Sequence, residues 1–256
     1  MSRIKKAFEK GKAFIGFVTA GDPSLNKTEE FILAMDKAGA DIIEIGIPFS
    51  DPVAEGMVIQ KANIRALAVG TTTEKVFEMV KSARKTTQKP LVFLTYLNPV
   101  FTYGYERFFS RCSDCGIDGI IIPDLPFEEK NELLPYCEKY GVDLISLIAP
   151  TSVDRITMIA SQAQGFVYCV SSMGVTGVRS EIKTNLEEII NAIRTATDNP
   201  VAVGFGISTP EQAAQISRYA DGVIVGSAIV KIVEQYGENA TIPIQKYITD
   251  MKASLR

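Results

Sequence analysis

Short apolar runs rich in Ile, Val and Phe recur along the chain and alternate with segments of helical periodicity. The runs predict eight strands, at residues 14–18, 42–46, 91–95, 119–123, 144–148, 165–170, 201–205 and 222–226. Amphipathic segments between them predict helices, for example at residues 28–37, 73–84, 128–139 and 186–195. Because the strands are continuously apolar rather than alternating, we expect a parallel sheet that is buried on both faces.

The spacing of these strands indicates the architecture. Eight strands in 256 residues give about 32 residues per repeat, which is the size of one strand–helix unit. Several predicted helices end in a glycine that is followed two residues later by Asp and a strand, as in Gly39-Ala40-Asp41 and Gly116-Ile117-Asp118. We find no linker and no shift in composition. The sequence therefore predicts an α/β fold, a (β/α)8 TIM barrel forming a single domain over residues 1–256, with an extra N-terminal helix and long loops after strands two and six.

Composition narrows the possible chemistry. The chain has no histidine, which excludes Ser-His-Asp and Cys-His nucleophiles and most zinc sites, so we expect no metal. A net charge of -3 argues against binding to nucleic acid or to a membrane surface. No apolar run approaches the ~18 residues that span a bilayer, and the charged N terminus does not resemble a signal peptide. Four cysteines are too few for a disulfide scaffold, so we expect a cytoplasmic protein with reduced thiols.

Glycines follow predicted strands seven and eight, where TIM barrels commonly bind phosphate through backbone N–H groups. Gly204-Phe205-Gly206 follows strand seven, and Gly226-Ser227 follows strand eight. A third glycine-rich loop, which contains Thr176 and Gly177, follows strand six. The pattern predicts a phosphate site, although glycines at these positions could also serve only to make tight turns.

Two glutamates are candidates for acid–base chemistry. Glu44 lies inside the otherwise apolar strand two, where burial would raise its pKa into the range of a general acid or base. Glu55 lies in the polar, proline-rich loop that follows this strand and could supply a second carboxylate. The alternative for Glu44 is a structural carboxylate that is bonded to a hydroxyl such as that of Tyr168. The alternative for Glu55 is a solvated charge on the loop. No lysine falls at a strand end, which disfavours a Schiff-base aldolase.

Apolar residues near the strand ends would line the barrel mouth and suit a flat aromatic substrate, or would simply form barrel core. These residues are Phe17, Leu94, Ile121 and Tyr168. Asp124, after strand four, could contact either a substrate or a loop hydroxyl.

At this level of detail the sequence resembles the alpha subunit of tryptophan synthase. The matching stretches are residues 17–23, 44–52, 174–177, 204–208 and 226–231, in the order of the family and over essentially the whole chain. The strand glutamate joined to Pro-Phe-Ser-Asp-Pro at 48–52 is the most specific of them. The sequence departs from the family at Glu55, where aspartate is usual, at Met57, where proline is usual, and at 171–173, where an arginine is common.

The resemblance implies a lyase that cleaves indole-3-glycerol phosphate into indole and glyceraldehyde 3-phosphate. By this resemblance, Glu44 protonates indole C3 and Glu55 stabilises or deprotonates the indole N–H. Residues carried over to substrate binding are Phe17, Leu94, Ile121, Tyr168, Thr176, Gly177, Gly206, Gly226 and Ser227. The chemistry needs no cofactor in this chain.

The family works as an alpha2-beta2 complex, in which pyridoxal phosphate belongs to the beta subunit. The resemblance places the contact with this partner on two loops, at Asp51, Pro52, Asn98, Pro99 and Phe101. Two alternatives remain: a sugar-phosphate isomerase on the same kind of barrel, and a non-catalytic barrel that activates a beta subunit. The isomerase would need an acid–base residue at the end of strand one, where Phe17-Val18-Thr19 supplies none.

Overall fold

The computed structural model describes residues 2–171, 179–204 and 206–255, with side chains in the helix at 179–196 described from Leu186 onward. The strands are β1 (Ala13–Thr19), β2 (Ile42–Gly46), β3 (Leu91–Leu94), β4 (Gly119–Ile121), β5 (Asp143–Leu144), β6 (Ser146–Ile148), β7 (Val167–Val170), β8 (Val201–Gly204) and β9 (Gly222–Val225). The eight predicted strand regions are confirmed, and the fifth of them is divided into β5 and β6.

Helices separate most of these strands. They are α1 (Arg3–Phe8), α2 (Leu25–Lys37), α3 (Met57–Ala68), α4 (Thr73–Ala83), α5 (Leu97–Tyr103), α6 (Tyr105–Cys115), α7 (Leu134–Tyr140), α8 (Val153–Ala160), α9 (Arg179–Ala196), α10 (Pro210–Ile216), α11 (Ser227–Tyr236) and α12 (Thr241–Ala253), with 3-10 helices at Phe127–Glu132 and Gly237–Asn239. Among the described residues, none of these helices combines the length and apolarity needed to cross a membrane.

The strands form one parallel sheet that closes on itself. The strand order is β5-β4-β3-β2-β1-β9-β8-β7-β6, so its two ends are β5 and β6. These two are halves of one chain segment separated only by Ile145, whose N–H donates to the Ile120 carbonyl oxygen at 2.9 Å. The sheet therefore forms the predicted barrel of eight strands.

Side chains alternate between two apolar clusters, as expected for strands buried on both faces. In β2, Ile43 and Ile45 pack outward against the helices, whereas Ile42 belongs to the cluster inside the barrel. The inner cluster contains Ile4, Ile15, Ile42, Val92, Ile121, Ile145, Phe166, Tyr168, Ala202 and Ile224. Because Glu44 lies two residues after Ile42, its side chain also points into the barrel.

The N-terminal helix α1 closes the amino-terminal end of the barrel. Ile4 is fully buried in the inner cluster, and Ala7 and Phe8 pack against the same cluster. The rings of Phe8 and Phe166 lie 5.8 Å apart between centroids. The predicted extra helix is thus confirmed, and access to the barrel interior is left to the carboxyl-terminal end of the strands.

The segment predicted as one helix at 128–139 differs in the structure. A 3-10 helix ends at Glu132, and α7 begins at Leu134 with Pro135 in its first turn. Proline has no N–H to donate back to the preceding turn, so the helix restarts there rather than continuing. The predicted loop after strand two is confirmed between β2 and α3, whereas most of the predicted loop after strand six, at 172–178, lies outside the described residues.

Candidate active site

Glu44 lies in the middle of β2 and is the buried carboxyl group of the barrel interior. It pairs across the sheet with Phe17 in β1 and with Val92 in β3, and it is 1% exposed. Its Oε1 atom has no hydrogen-bond partner within the described part of the chain. Because burial disfavours the charged form, it raises the pKa of Glu44 to about 8. At neutral pH this side chain is therefore a carboxylic acid that can donate a proton.

Tyr168 and Phe17 lie beside this acid. Burial, and to a smaller extent the charge of Glu44, raises the pKa of the Tyr168 phenol, so the two side chains lie within electrostatic range of each other. Both rings fit over glycines: a Cβ at Gly204 would lie 2.5 Å from the Tyr168 hydroxyl, and one at Gly46 would lie 2.6 Å from the Phe17 ring. Glycine in these two strands leaves room for the aromatic wall.

Glu55 is held at the barrel mouth by Tyr96, which follows β3. The Tyr96 hydroxyl donates a short hydrogen bond to Oε2 of Glu55, and the hydroxyl oxygen of Tyr96 accepts the Ala54 N–H at 2.9 Å. The Glu55 carbonyl oxygen accepts from Nε2 of Gln60 at 2.7 Å. Desolvation raises the pKa of Glu55, and the bond from Tyr96 partly opposes that effect. The loop carboxylate is thus only half-buried and has a hydrogen-bond partner, whereas Oε1 of Glu44 has none within the described residues.

Tyr96 is a site residue to which the sequence pattern assigned no role. It is 2% exposed, and its ring lies 5.3 Å from that of Phe49 between centroids, so it is buried under the loop that carries Glu55. Its position immediately after an apolar strand was the available signal, since such positions face the barrel mouth. Sequence alone could not show that its hydroxyl points to Glu55.

Apolar side chains complete the wall around the two carboxyl groups. Ile121 is buried in the inner cluster, and Leu94 packs against that cluster while remaining partly exposed. The start of α3 covers the same region, because Val58 and Ile59 pack with Phe17 and Leu94. This arrangement offers a flat apolar slot beside the buried acid.

The glycines after β8 and β9 lie side by side. Gly206 and Gly226 each follow the paired residues Ala202 and Gly222 by four positions, and the strands carrying them are neighbours. Gly206 has φ +75°, a left-handed conformation that favours glycine. Helix α11 begins at Ser227, and no side chain caps its first turn. Its free N–H groups and positive helix end suit an anion.

Thr176 and Gly177, predicted to close over this anion, lie outside the described residues. Asp124 is exposed, and its Oδ1 accepts the backbone N–H of Leu97 at 2.9 Å, so in this structure it supports the start of α5.

The residues predicted to contact a partner subunit lie on the surface near the mouth. Asp51 and Asn98 are exposed, Pro52 and Pro99 are partly exposed, and Phe101 is 68% exposed. Asn98, Pro99 and Phe101 belong to α5, so the second of the two predicted loops is a helix in the structure. Val53 and Met57, in or next to the loop of Glu55, are also largely exposed. We call the exposed apolar residues Val53, Met57 and Phe101, which follow the neighbouring strands β2 and β3, the apolar rim. Exposed apolar residues of this kind are typical of a protein-binding surface.

The site thus contains a neutral buried acid, a second carboxylate, an apolar slot and an anion-binding helix end at one end of the barrel. This combination can protonate an aromatic ring that is anchored by a phosphate group.

The chain is similar over its full length to known proteins. The family model for the tryptophan synthase alpha chain matches residues 3–255. The tryptophan synthase alpha chain of Lacticaseibacillus casei is 49% identical over 255 residues, which cover 100% of this chain and 96% of that protein. The crystal structure of tryptophan synthase subunit alpha from Legionella pneumophila superposes with a TM-score of 0.91 at 37% identity and covers 100% of this chain and 98% of that one.

A third comparison concerns a complex. A structure of the tryptophan synthase a2b2 complex from Pyrococcus furiosus contains a chain that is 36% identical, with a TM-score of 0.86, covering 95% of this chain and 99% of that one. The family model alone spans nearly all of the sequence, and the fold agrees with it. The chain therefore belongs to the tryptophan synthase alpha chain family.

Proposed function

We propose that this chain is a lyase that cleaves indole-3-glycerol phosphate to indole and glyceraldehyde 3-phosphate, with Glu44 as the general acid. The observation that carries this assignment is the Glu44 carboxyl group inside the barrel, whose Oε1 has no hydrogen-bond partner among the described residues and whose pKa is raised to about 8. A group with this pKa is protonated at neutral pH and still acidic enough to transfer its proton. Membership of the tryptophan synthase alpha chain family supports the choice of substrate.

The first step is a proton transfer from Glu44 to C3 of the indole ring. Protonation at C3 turns the ring into an electron sink, with positive charge shared with the ring nitrogen. The bond between C3 and the glycerol carbon can then break, and its electron pair returns to the ring. The hydroxyl on that glycerol carbon loses its proton to the Glu44 carboxylate and becomes the aldehyde, so Glu44 ends the reaction protonated as it began.

Glu55 stabilises the charged intermediate. Its carboxylate, held by the Tyr96 hydroxyl, would accept the hydrogen bond or the proton of the indole N–H as that group becomes more acidic. The bond from Tyr96 lowers the pKa of Glu55 against the effect of burial, which favours the ionised form required for this role. We therefore assign Tyr96 as the residue that positions Glu55.

The rest of the site binds the substrate. Phe17, Leu94, Ile121 and Tyr168 would enclose the indole ring, and Gly206, Gly226 and Ser227 would bind the phosphate through backbone N–H groups and the Ser227 hydroxyl. Thr176 and Gly177 are proposed to join them by their position in the sequence. Anchoring both ends of the substrate holds C3 near Glu44, which is where positioning contributes most to the rate.

We further propose that the chain works with a beta subunit as an alpha2-beta2 complex and that Asp51, Pro52, Asn98, Pro99 and Phe101 contact it. The exposed apolar rim described above and the complex formed by the Pyrococcus furiosus protein support this assignment. The steps above use side chains alone, so we assign pyridoxal phosphate to the beta subunit only. Four unpaired cysteines, all buried, support the proposed cytoplasmic location.

An indole-release assay on indole-3-glycerol phosphate, with and without a beta subunit, tests the proposal. We expect stoichiometric indole and glyceraldehyde 3-phosphate, with a slow rate for the isolated chain and a faster one for the complex, because docking beside the mouth would favour a closed, water-free site. Activation of the beta subunit without any indole release would favour the non-catalytic barrel instead. Isomerised sugar phosphate without indole would favour the isomerase.

A further inference from the structure

A cavity of about 210 Å³ lies beside the barrel wall, where the fourth and fifth barrel strands separate. Pairing between β4 and the fifth strand ends at Ile120 and Leu144, and β6 then pairs with β7. The chain after β4 turns away through Pro123 and Pro126 into the 3-10 helix, and the gap that results forms the cavity. None of the residues proposed above for proton transfer or phosphate binding lines it.

Lys130 lines this cavity and is a buried residue without a counter-charge among the described residues. It is 7% exposed, and within the part of the chain that the structure describes its ammonium has no hydrogen-bond or ion-pair partner. Its Nζ lies 4.2 Å from the centroid of the Phe127 ring, which gives a cation–π contact but no negative charge. Burial lowers the pKa of the ammonium, as expected for an uncompensated charge. Because Lys130 lines the cavity, its ammonium is available to an anion that enters there, and such an anion would compensate its charge.

The other charged residue of the lining is already paired. Arg155 binds Glu128 through two hydrogen bonds, of 2.7 and 3.2 Å. The Arg155 side chain is partly exposed and that of Glu128 is exposed. Lys130 is therefore the uncompensated positive charge among the lining residues. Two hydroxyl groups, of Ser146 and Thr151, also line the cavity.

Most of the remaining lining is apolar, with Leu125, Leu147 and Ile159 among its members. A bare inorganic anion would leave this apolar wall unfilled, and a neutral hydrocarbon would leave the ammonium unpaired. The volume is below the roughly 300 Å³ at which sites for drug-sized ligands begin, so the occupant must be small. The positive charge of Lys130, the apolar lining and the small volume together specify an organic anion with a compact apolar group.

We propose that this cavity binds a small carboxylate that carries an aromatic or branched apolar group, with the carboxylate on the Lys130 ammonium. The apolar group fills the space against Leu125, Leu147 and Ile159, and the hydroxyls of Ser146 and Thr151 lie within the same cavity to orient the carboxylate. The site is separate from the proposed phosphate site at Gly206, Gly226 and Ser227.

Titration of the full chain with benzoate, followed by the backbone amide signals in NMR, tests the proposal. We expect saturable shifts at residues 127–130 and 146–149 with a dissociation constant on the order of 1 mM, as suits a ligand with few atoms. The shifts should persist when glycerol phosphate saturates the barrel mouth. Absence of saturable shifts there, or their loss on adding glycerol phosphate, would overturn the proposal.

Two substitutions at Lys130 and one control complete the test. Lys130→Met keeps the length and apolar stem and removes the charge, so we expect at least tenfold weaker binding. Lys130→Gln gives a second, polar variant with the same expectation should the first not fold. Lys139→Met removes an exposed lysine that pairs with Glu106 on the outer surface, and it should leave the benzoate affinity unchanged. Equal affinity in wild type and both Lys130 variants would show that Lys130 does not bind the anion.

Discussion

The two glutamates of the proposed active site lie only eleven residues apart in sequence but in very different surroundings. Glu44 belongs to a central strand, is 1% exposed, and its Oε1 lacks a hydrogen-bond partner among the described residues. Glu55 belongs to a loop, is half-buried, and is bound by the hydroxyl of Tyr96. Burial raises the pKa of both groups, but only Glu55 has a hydrogen bond that opposes the shift.

The different surroundings of Glu44 and Glu55 explain how one barrel can hold a proton donor and a proton acceptor at the same pH. A strand buried on both faces removes water from a carboxyl group, so the neutral form is favoured. A loop at the mouth keeps some solvent and allows a hydrogen bond to the ionised form, which opposes part of the rise that burial causes in the pKa of Glu55. The roles of acid and base thus follow from where each glutamate is attached.

Of the substitutions considered, Glu44→Gln should have the largest effect on the rate of indole release. The amide keeps the shape of the side chain but cannot donate the proton to C3, so we expect the rate of indole release to fall by about 1,000-fold. Binding of glycerol phosphate, measured by calorimetry, should change by less than about threefold because the phosphate site is at other strands. Glu238→Gln, at an exposed carboxylate far along the chain, is the control. Full activity in Glu44→Gln would remove the assigned acid.

The same variant should alter how stability depends on pH. The pKa of Glu44 is about 8 in the folded protein and near 4.5 when the side chain is in water. Between these values the folded state holds a proton that the unfolded chain has lost, so the free energy of unfolding falls as pH rises. We expect wild type to lose roughly 3 kcal/mol relative to Glu44→Gln between pH 4.5 and pH 7.

Urea denaturation of both proteins at several pH values measures this difference. The cost of burying the amide in Glu44→Gln does not depend on pH and therefore cancels when the two curves are compared. Parallel curves across this range would mean that Glu44 is not held neutral in the folded protein.

Tyr96→Phe should make the environment of Glu55 more like that of Glu44, because Glu55 loses its hydrogen bond from the phenol. Loss of the hydroxyl removes the hydrogen bond that lowers the pKa of Glu55, so this pKa rises. The low-pH limb of the kcat/KM profile should therefore move to higher pH, with about a tenfold loss of activity near pH 6. Tyr103→Phe removes a similar bond, to Glu74 on the outer helices, and should leave the profile in place. An unmoved limb in Tyr96→Phe would show that Tyr96 does not act through Glu55.

Glu55→Asp should have the smallest effect on activity. The carboxylate is retained but lies one methylene farther from the substrate and from Tyr96, so we expect about a threefold fall in kcat/KM. Steady-state assays of Glu55→Asp beside Glu55→Ala measure it, with a larger loss expected for alanine. A faster aspartate variant would show that the longer side chain is a compromise, and full activity of the alanine variant would exclude Glu55 from the mechanism.

Most of the architecture was predictable because it depends on local patterns. Continuous apolar runs located the strand regions, and glycines such as Gly116 and Gly141, both left-handed in the structure, marked the ends of helices. The division of the fifth strand at Ile145 and the restart of the helix at Leu134 were not predicted, since both depend on how neighbouring segments pack.

The candidate site was predictable in part. A charge within an apolar strand pointed to Glu44, and the alternation of side chains places it inside the barrel. The hydrogen bond between Tyr96 and Glu55 joins residues 41 positions apart. The position of the Lys130 ammonium, which has no ion-pair partner in the described ranges, depends on the gap beside β6. Neither contact follows from local pattern.

By itself, the sequence determined the strand and helix order, the burial of Glu44 and the family resemblance, because these depend on residue type and spacing. Contacts between distant segments set the hydrogen bond of Glu55 and the aromatic rings that lie over Gly46 and Gly204. They also place Lys130 in a cavity without a counter-charge from any described residue. The physical reason is that proton affinity depends on the solvent and charges around a group, and those are set by segments distant in the chain.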